Sequence, residues 1–470
     1  MKPSSSPSST ASSDAPPAGA LFGPMFSAAV VDRETDDRAW LQAMLDVERA
    51  LAVAQARAGL VPVEAATEIA AHCNIDGYDV DEIGRRAAAS ASPVIPVVRD
   101  LAAAVAPDAR PWVHFGATSQ DVLDTAASLV AGRAVVAILA DLAGAAQACA
   151  ELAGAHRDTL MIGRTMLQHA IPTTFGLKCA GWLVAVDEAR TTLAAVRDRR
   201  LAVQFGGPTG TLASLGDHGV EVLHLLAEEL GLAEPVLPWH TNRVRVAELA
   251  AALGTVAGVL GKIALDVVLL AQTEVGEVSE GPGGPGEDRG GSSAMPHKHN
   301  PVQALLISAN ARRVPGLVAT LLAAMPQEQE RAAGAWQAEW ETLTVLLRLV
   351  GGAAARGHEL VSGLRVDPDR MRRNLEGTDG LAMAGAVAER LAPALGRTAA
   401  QDLIREACAQ ADGRPLRDAL REVPEVRAHL SEVDIDAALD PAGYLGSAGE
   451  FVDRALASHA ATRRELREEP

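Results

Sequence analysis

The sequence contains few aromatic residues for its size. Aromatic residues make up 3% of the 470 residues, whereas hydrophobic residues make up 48%. Alanine, leucine and valine dominate this hydrophobic fraction, and that bias favours closely packed helices over the aromatic-rich strands of sandwiches and barrels. We therefore predict an all-α protein, and a chain of this length can bury a large core over two or three domains.

The sequence also lacks a concentrated group of basic residues. Its formal net charge is −18, whereas binding to nucleic acid requires a positive face opposite the phosphates. We therefore predict no nucleic-acid partner. An anionic ligand would have to be held by a few local cations.

Cysteines are few, and they form neither a CxxC motif nor a disulfide pattern, so we predict reduced core residues. They are Cys73, Cys149, Cys179 and Cys408. Residues 1–20 are rich in Ser, Pro and Ala and lack a basic start followed by an apolar run. This composition predicts a disordered tail, not a secretory signal, and thus a cytoplasmic protein.

The longest apolar stretch, residues 249–272, is not a typical membrane span. Lys262 and Asp266 lie in its middle with the spacing of an ion pair on a helix, and three glycines interrupt it. A buried helix of a bundle is the better interpretation. We predict no membrane partner.

Helical spacing of apolar residues begins at residues 36–59, before Gly59 and Pro62 break the pattern. Long segments with few prolines then follow at 121–157, 173–203, 246–278 and 301–350. At about 1.5 Å per residue, the segment 246–278 would span roughly 50 Å, a length that only a long bundle accommodates. Helices this apolar leave more than one hydrophobic face, which indicates oligomerisation through the bundle.

These patterns divide the chain into a tail and three helical regions. We predict a disordered tail (1–20), an N-terminal helical domain (21–110), a central long-helix bundle (111–365) and a C-terminal helical domain (366–470).

A segment with candidate chemistry lies at residues 280–301, with the sequence EGPGGPGEDRGGSSAMPHKHNP. Its glycines permit loop closure, a desolvated serine can act as a base, and Lys298 with Asn300 can hold a carboxylate. The alternative is a disordered surface linker, which such a composition alone favours. The functional interpretation is a mobile lid over a site.

The string GSSAMPHKHNP at 291–301 resembles the GSSxMPxKxNP signature of the fumarase/aspartase superfamily. The strings HFGATSQDVLDTA at 114–126 and GRTMLQHAIPTTFG at 163–176 resemble two further motifs of that superfamily, in the same order and spacing. The resemblance extends over essentially the whole chain after residue 21. It implies a homotetramer with a helical core, in which three subunits form each active site.

The resemblance also implies roles for individual residues. Ser292 would be the base that removes a proton beside a substrate carboxylate, and the resulting aci-carboxylate carbanion would need cationic and hydrogen-bonding partners. Lys298 and Asn300, together with Thr118 and Ser119, would bind carboxylate groups. The chemistry requires no cofactor. Further candidate substrate-binding residues within the matching motifs are His114, Thr165, Gln168, His169 and Arg243.

Several of these candidates have simpler interpretations. An isolated histidine in a helical protein is usually a hydrogen-bonded structural residue, and an arginine usually forms a surface ion pair. His297 and His299 have an HxH spacing, but no third ligand lies near them in the sequence. We therefore predict no metal site.

Two positions depart from the superfamily pattern together. Many members have a histidine after the threonine of GRT and a glutamate seven residues beyond the signature lysine, whereas this chain has Met166 and Leu305. An apolar pair cannot protonate a leaving group. We therefore expect β-elimination of a group that leaves as a stable anion, such as carboxylate or nitrite.

Within the superfamily, the chain most resembles the bacterial 3-carboxy-cis,cis-muconate cycloisomerases, through FGGPTGTLASLGD, PWHTNR, TEVGEV and WQAEWETL. In the reverse direction, their reaction opens a lactone and expels its carboxylate as the leaving group. Four positions differ from that family's usual residues and should weaken recognition of a tricarboxylate. They are Asn242, Val244, His299 and Gln329.

Two substrates therefore remain open: nitrosuccinate, which would give fumarate and nitrite, and 3-carboxy-cis,cis-muconate. Both make the partner a small di- or tricarboxylate. Adenylosuccinate lyase is a weaker alternative, because its amine product needs the missing acid. A catalytically dead structural homologue is also weaker, because Ser292, Lys298 and Asn300 are all present.

Overall fold

The computed structural model describes residues 21–281, 289–292 and 294–468. The tail predicted for residues 1–20 lies outside the described residues. Helices make up most of the described chain, which confirms the prediction of an all-α protein. The first six are α1 (Gly23–Phe26), α2 (Ala29–Thr35), α3 (Asp37–Arg57), α4 (Val63–His72), α5 (Val80–Ser90) and α6 (Val94–Ala104).

Long helices follow and form the centre of the fold. They are α7 (Ser119–Ala155), α8 (Phe175–Arg200), α9 (Gly219–Leu230), α10 (Val244–Leu270), α11 (Val302–Ala323) and α12 (Ala335–Ser362). Helix α7 has 37 residues, which corresponds to about 55 Å at 1.5 Å per residue. The prediction of a long-helix bundle is confirmed.

One predicted long segment is interrupted. Residues 301–350 divide into α11 and α12, because the chain leaves the helix at Ala324 and Pro326 cannot continue it. The connection at 324–334 reaches the start of α7, where Arg331 contacts Thr118.

The C-terminal region consists of shorter helices followed by one long helix. They are α13 (Pro368–Glu376), α14 (Ala384–Leu395), α15 (Arg397–Ala411), α16 (Leu416–Glu422), α17 (Pro424–His429), α18 (Glu432–Leu439) and α19 (Ala448–Glu468). Helix α19 packs back on α7 and α8, so the end of the described chain contacts the bundle.

Two short antiparallel strand pairs lie between the helices. Strands β1 (Leu160–Thr165) and β2 (Gln168–Thr174) form a hairpin, and β3 (Val278–Ser279) pairs with β4 (Arg365–Val366). Residues Met166 and Leu167 make the hairpin turn, with φ values of 49° and 65°. Two left-handed residues in a row suit a two-residue hairpin, although glycine or asparagine usually occupies them.

The buried side chains form one large apolar cluster and smaller satellites. The large cluster contains residues of α3, α7, α8, α10 and α12, so the N-terminal helices share their core with the bundle. A separate cluster joins α14 to α18. The domain boundaries at 110 and 365 stay a prediction.

The four cysteines are free, three of them buried and Cys408 half-buried. Lys262 and Asp266 form the expected ion pair.

Helices α7 and α10 are long and apolar enough to span a membrane by length and composition, with 44% of each apolar window buried. Core helices of bundles pass the same test, so this finding is weak support for a membrane span.

Candidate active site

The predicted Thr118–Ser119 pair lies at the start of α7, where a buried carboxylate fixes the backbone. Asp121 accepts hydrogen bonds from the backbone N–H of Thr118 at 3.0 Å and from His240 Nε2 at 2.7 Å. It also accepts from the backbone N–H groups of Gly206 and Gly207. Burial raises the pKa of Asp121 above its ordinary value, while these donors oppose the shift. The loop before α7 is therefore held in one position.

Arg331 lies directly over this pair. Its Nη1 donates to Thr118 Oγ1 at 2.5 Å, and its Nη2 donates to Ser119 Oγ at 3.2 Å. The guanidinium also lies 5.8 Å from the centre of the Trp336 ring. Two hydroxyls and one cation at a helix N-terminus make a suitable place for a carboxylate.

The sequence patterns do not predict Arg331 as a site residue. Arg331 ends the string QEQER, in which Gln329 is the position that departs from the family pattern. The connection between α11 and α12 carries both residues, and Gln327 holds that connection by donating to Glu339 Oε1 at 3.0 Å. The resemblance of this string to the QEHER-like motif of the cycloisomerases was the available signal, whereas the contact of Arg331 with Thr118 depends on the fold.

Arg243 is buried in an ion-pair network, with 3% of its surface exposed. Its Nη1 and Nη2 donate to the two oxygens of Asp124 at 2.8 and 3.0 Å, and its Nε donates to Glu339 Oε1 at 3.0 Å. Burial lowers the pKa of Arg243, but the two carboxylates more than offset it and the net shift is upward. These contacts favour a structural role over the predicted contact with substrate.

His114 precedes the loop that contains Thr118, and its backbone is left-handed with φ of 59°. Its Nδ1 lies 2.6 Å from Glu48 Oε1, a carboxylate on α3. Burial lowers the pKa of His114, but the charge of Glu48 and its hydrogen bond outweigh burial, so the pKa lies above 6.5. His114 is therefore held beside the Thr118 loop by α3.

The β1–β2 hairpin carries three predicted residues, Thr165, Gln168 and His169, and all three are exposed near its tip. Its base is anchored, because Arg164 forms two hydrogen bonds of 2.9 and 2.7 Å with the buried Glu277.

A cavity of about 1100 Å³ runs from Thr165 along α8 and α10 to the start of α19.

The signature segment forms a tight turn around Ser292. Ser292 Oγ accepts hydrogen bonds from the backbone N–H groups of Met295 at 3.2 Å and Ala294 at 3.4 Å. The Lys298 side chain is exposed. Asn300 donates from its backbone and side chain to Gly290 O, which closes the base of the segment. Residues 282–288 and 293 of the predicted lid lie outside the described residues.

The predicted residues thus form three groups: the α7 start with Arg331, the hairpin tip, and the signature segment. Within the described ranges, no hydrogen bond or ion pair joins one group to another. Met166 is 99% exposed and Leu305 is 47% exposed, so both apolar positions face outward from the single chain. In the same described part, no cluster of three His, Cys, Asp or Glu residues could hold a metal ion.

Comparison with known proteins shows the family to which the chain belongs. The sequence profile of the family described as Lyase matches residues 25–316, and the profile described as Adenylosuccinate lyase C-terminus matches residues 380–455. The chain is 49% identical to the 3-carboxy-cis,cis-muconate cycloisomerase of Pseudomonas aeruginosa, covering 95% of this chain and 97% of that protein. It is 46% identical to the nitrosuccinate lyase of Streptomyces davaonensis, covering 93% and 94%.

A solved structure shows the same similarity. The 3-carboxy-cis,cis-muconate lactonizing enzyme of Pseudomonas putida superposes with a TM-score of 0.88 at 45% identity, covering 94% of this chain and 99% of that one. The Lyase profile matches more than half of the chain, and these relatives align over nearly all of it. The chain therefore belongs to the fumarase/aspartase superfamily and is an enzyme of that superfamily, a lyase or a cycloisomerase.

Proposed function

We propose that this enzyme eliminates nitrite from nitrosuccinate and releases fumarate. The observation that carries the proposal is the apolar pair Met166 and Leu305, at the positions where many members of the superfamily have a proton-donating histidine and glutamate. Nitrite is a stable anion and needs no proton to leave, whereas ammonia or an amine does. The similarity to the Streptomyces davaonensis nitrosuccinate lyase supports this substrate.

In the proposed mechanism, Ser292 Oγ removes the proton from the carbon beside a substrate carboxylate. The electron pair moves into that carboxylate as an aci-carboxylate, and the carbon–nitrogen bond then breaks with its electrons on nitrite. The backbone N–H groups of Ala294 and Met295, which donate to Ser292 Oγ, would stabilise the serine alkoxide. Lys298 would stabilise the charge on the aci-carboxylate.

We assign the second carboxylate to Arg331, Thr118 and Ser119. The guanidinium carries two donors in a fixed plane, and that plane matches the two oxygens of a carboxylate. The hydroxyls that now accept from Arg331 can turn and donate to the substrate. This arrangement fits a small dicarboxylate.

We infer a cytoplasmic homotetramer in which several subunits supply each active site. The three groups of residues are separate in the single chain, and the tip of the hairpin extends away from it. Exposed apolar residues on three bundle helices, Val136, Val184 and Leu265, are 55%, 38% and 50% exposed. Burial of such faces against other copies would bring the groups together.

A second candidate is the cycloisomerase reaction of 3-carboxy-cis,cis-muconate. The 49% identity to the Pseudomonas aeruginosa enzyme favours it. The same serine base and the same lack of an acid suit a reaction whose reverse expels a lactone carboxylate. His299 stands where an arginine is common in the cycloisomerase signature. This favours the smaller substrate, because histidine lacks the planar guanidinium that could bind a third carboxylate.

Parallel assays separate the two candidates. The purified enzyme is offered nitrosuccinate in one tube and 3-carboxy-cis,cis-muconate in the other, with Ser292→Ala as the matched control. Formation of fumarate and nitrite supports the proposed lyase, whereas loss of the diene absorbance alone supports the cycloisomerase. Inactivity towards both substrates refutes both assignments.

A further inference from the structure

A second polar cavity, of about 310 Å³, lies between α7, α8 and α19 and shares no residue with the candidate active site. Arg190, Arg197 and Arg463 line it, together with Gln147 and small or apolar residues. In the described part of the chain, its lining includes no carboxylate. Two of the guanidinium groups contact carboxylates that do not line the cavity, Arg190 with Asp187 and Arg197 with Asp198. The cavity wall itself therefore carries positive charge, in a chain with a net charge of −18.

Arg190 is the most deeply buried of the three arginines. It is 5% exposed, and its guanidinium makes no hydrogen bond to any residue that the structure describes. The nearest carboxylate oxygen is Asp187 Oδ1, 3.4 Å from Nη1. That carboxylate also holds His459, whose Nδ1 lies 2.7 Å from Asp187 Oδ2. A buried guanidinium whose N–H groups lack acceptors destabilises the folded protein, and a bound anion would supply those acceptors.

The other two arginines add to this positive charge. Arg463 Nη1 donates to Gln147 Oε1 at 2.7 Å, which is a neutral acceptor. Arg197 pairs through Nε with Asp198 at 2.5 Å, which leaves its Nη groups for another acceptor. The pKa of Arg190 is lowered mainly by burial; the charge of Asp187 opposes this shift, and the positive charge of Arg463 adds a smaller lowering effect.

We propose that this cavity binds a small oxyanion with at least two charged oxygens, either phosphate or a dicarboxylate. Planar guanidinium groups bind such oxygens through charge-assisted hydrogen bonds. Because Arg190 belongs to α8 and Arg463 to α19, the bound anion bridges the C-terminal helix to the bundle. Binding therefore stabilises the folded protein as well as filling the cavity.

The experiment measures binding to the full-length enzyme at constant ionic strength. Phosphate and succinate are titrated separately by calorimetry, with chloride as the reference salt, and the melting temperature is recorded in each. Arg463→Gln removes one guanidinium group from the cavity. Arg464→Gln is the matched control, because Arg464 is exposed on the same helix and does not line the cavity.

Saturable binding to the wild type and to Arg464→Gln is expected, and Arg463→Gln should weaken it by about tenfold or more. Binding of phosphate alone or succinate alone supports the site and identifies the class of anion. A Lys298→Gln variant should retain the binding, which separates this cavity from the candidate active site. Equal affinities of Arg463→Gln and Arg464→Gln, or no binding of either anion, would overturn the proposal.

Discussion

Arg331 Nη1 donates to Thr118 Oγ1 across 2.5 Å, although the two residues are 213 positions apart in the chain. If this pair binds a substrate carboxylate, Arg331→Lys should lower kcat/KM by about tenfold to a hundredfold, since lysine keeps the charge but loses the planar fork. Steady-state kinetics measures the effect. Arg372→Lys, at an exposed position on α13, should leave kcat/KM unchanged. Equal values for both variants would remove Arg331 from the site.

Ser292→Ala should keep the fold and lose turnover by at least about 10²–10⁴-fold, the usual contribution of a positioned base. Ser292 lies in a partly exposed turn, so the substitution removes no core packing. The rate and the melting temperature are measured on the same preparation. Substantial turnover with an unchanged melting temperature would exclude the serine as the base.

Arg243→Gln should destabilise the protein by about 3–5 kcal/mol, because it leaves Asp124 and Glu339 as buried charges without a cation. Chemical denaturation should show an earlier midpoint, whereas Arg372→Gln should shift it little. The alternative, a substrate-binding Arg243, predicts a raised KM and an unchanged midpoint. The two measurements therefore distinguish a structural arginine from a substrate-binding one.

The pair of His114 and Glu48 should make stability depend on pH. The pKa of His114 lies above 6.5 in the folded protein, so protonation is favoured by folding. The resulting stabilisation is complete below pH 6.5 and is lost as the pH rises through the raised pKa.

Melting temperatures of the wild type and His114→Gln, measured between about pH 5.5 and 9, should differ most at low pH and converge at high pH. Asp121 contributes to the same upward shift of the His114 pKa. A difference that stays constant over this range would show that the pair does not titrate as proposed.

The sequence indicated the long helices well, because runs of 25 or more apolar and helix-forming residues leave few alternatives. Helix α7 begins at Ser119, close to the predicted 121, and α10 begins at Val244, close to the predicted 246. The break between α11 and α12 was missed, since a single Pro326 in a helical pattern does not by itself indicate an extended connection.

The sequence motifs identified candidate site residues, but they did not predict which of these residues contact one another. The signature segment identified Ser292 as a candidate, whereas the positions of Arg331 and Arg243 depend on partners more than 90 residues away. The sequence did not predict the hairpin turn, because its two left-handed positions are Met166 and Leu167 instead of the usual asparagine or glycine.

The hairpin tip also bears on how this family can diversify. Met166 is 99% exposed and Leu167 is 73% exposed, so replacing either side chain removes little packing from the chain that carries it. A lineage can therefore exchange residues at this corner without first acquiring compensating changes in the bundle. Relatives that share nearly half of their residues with this chain can in this way keep one scaffold while the side chains at this corner differ.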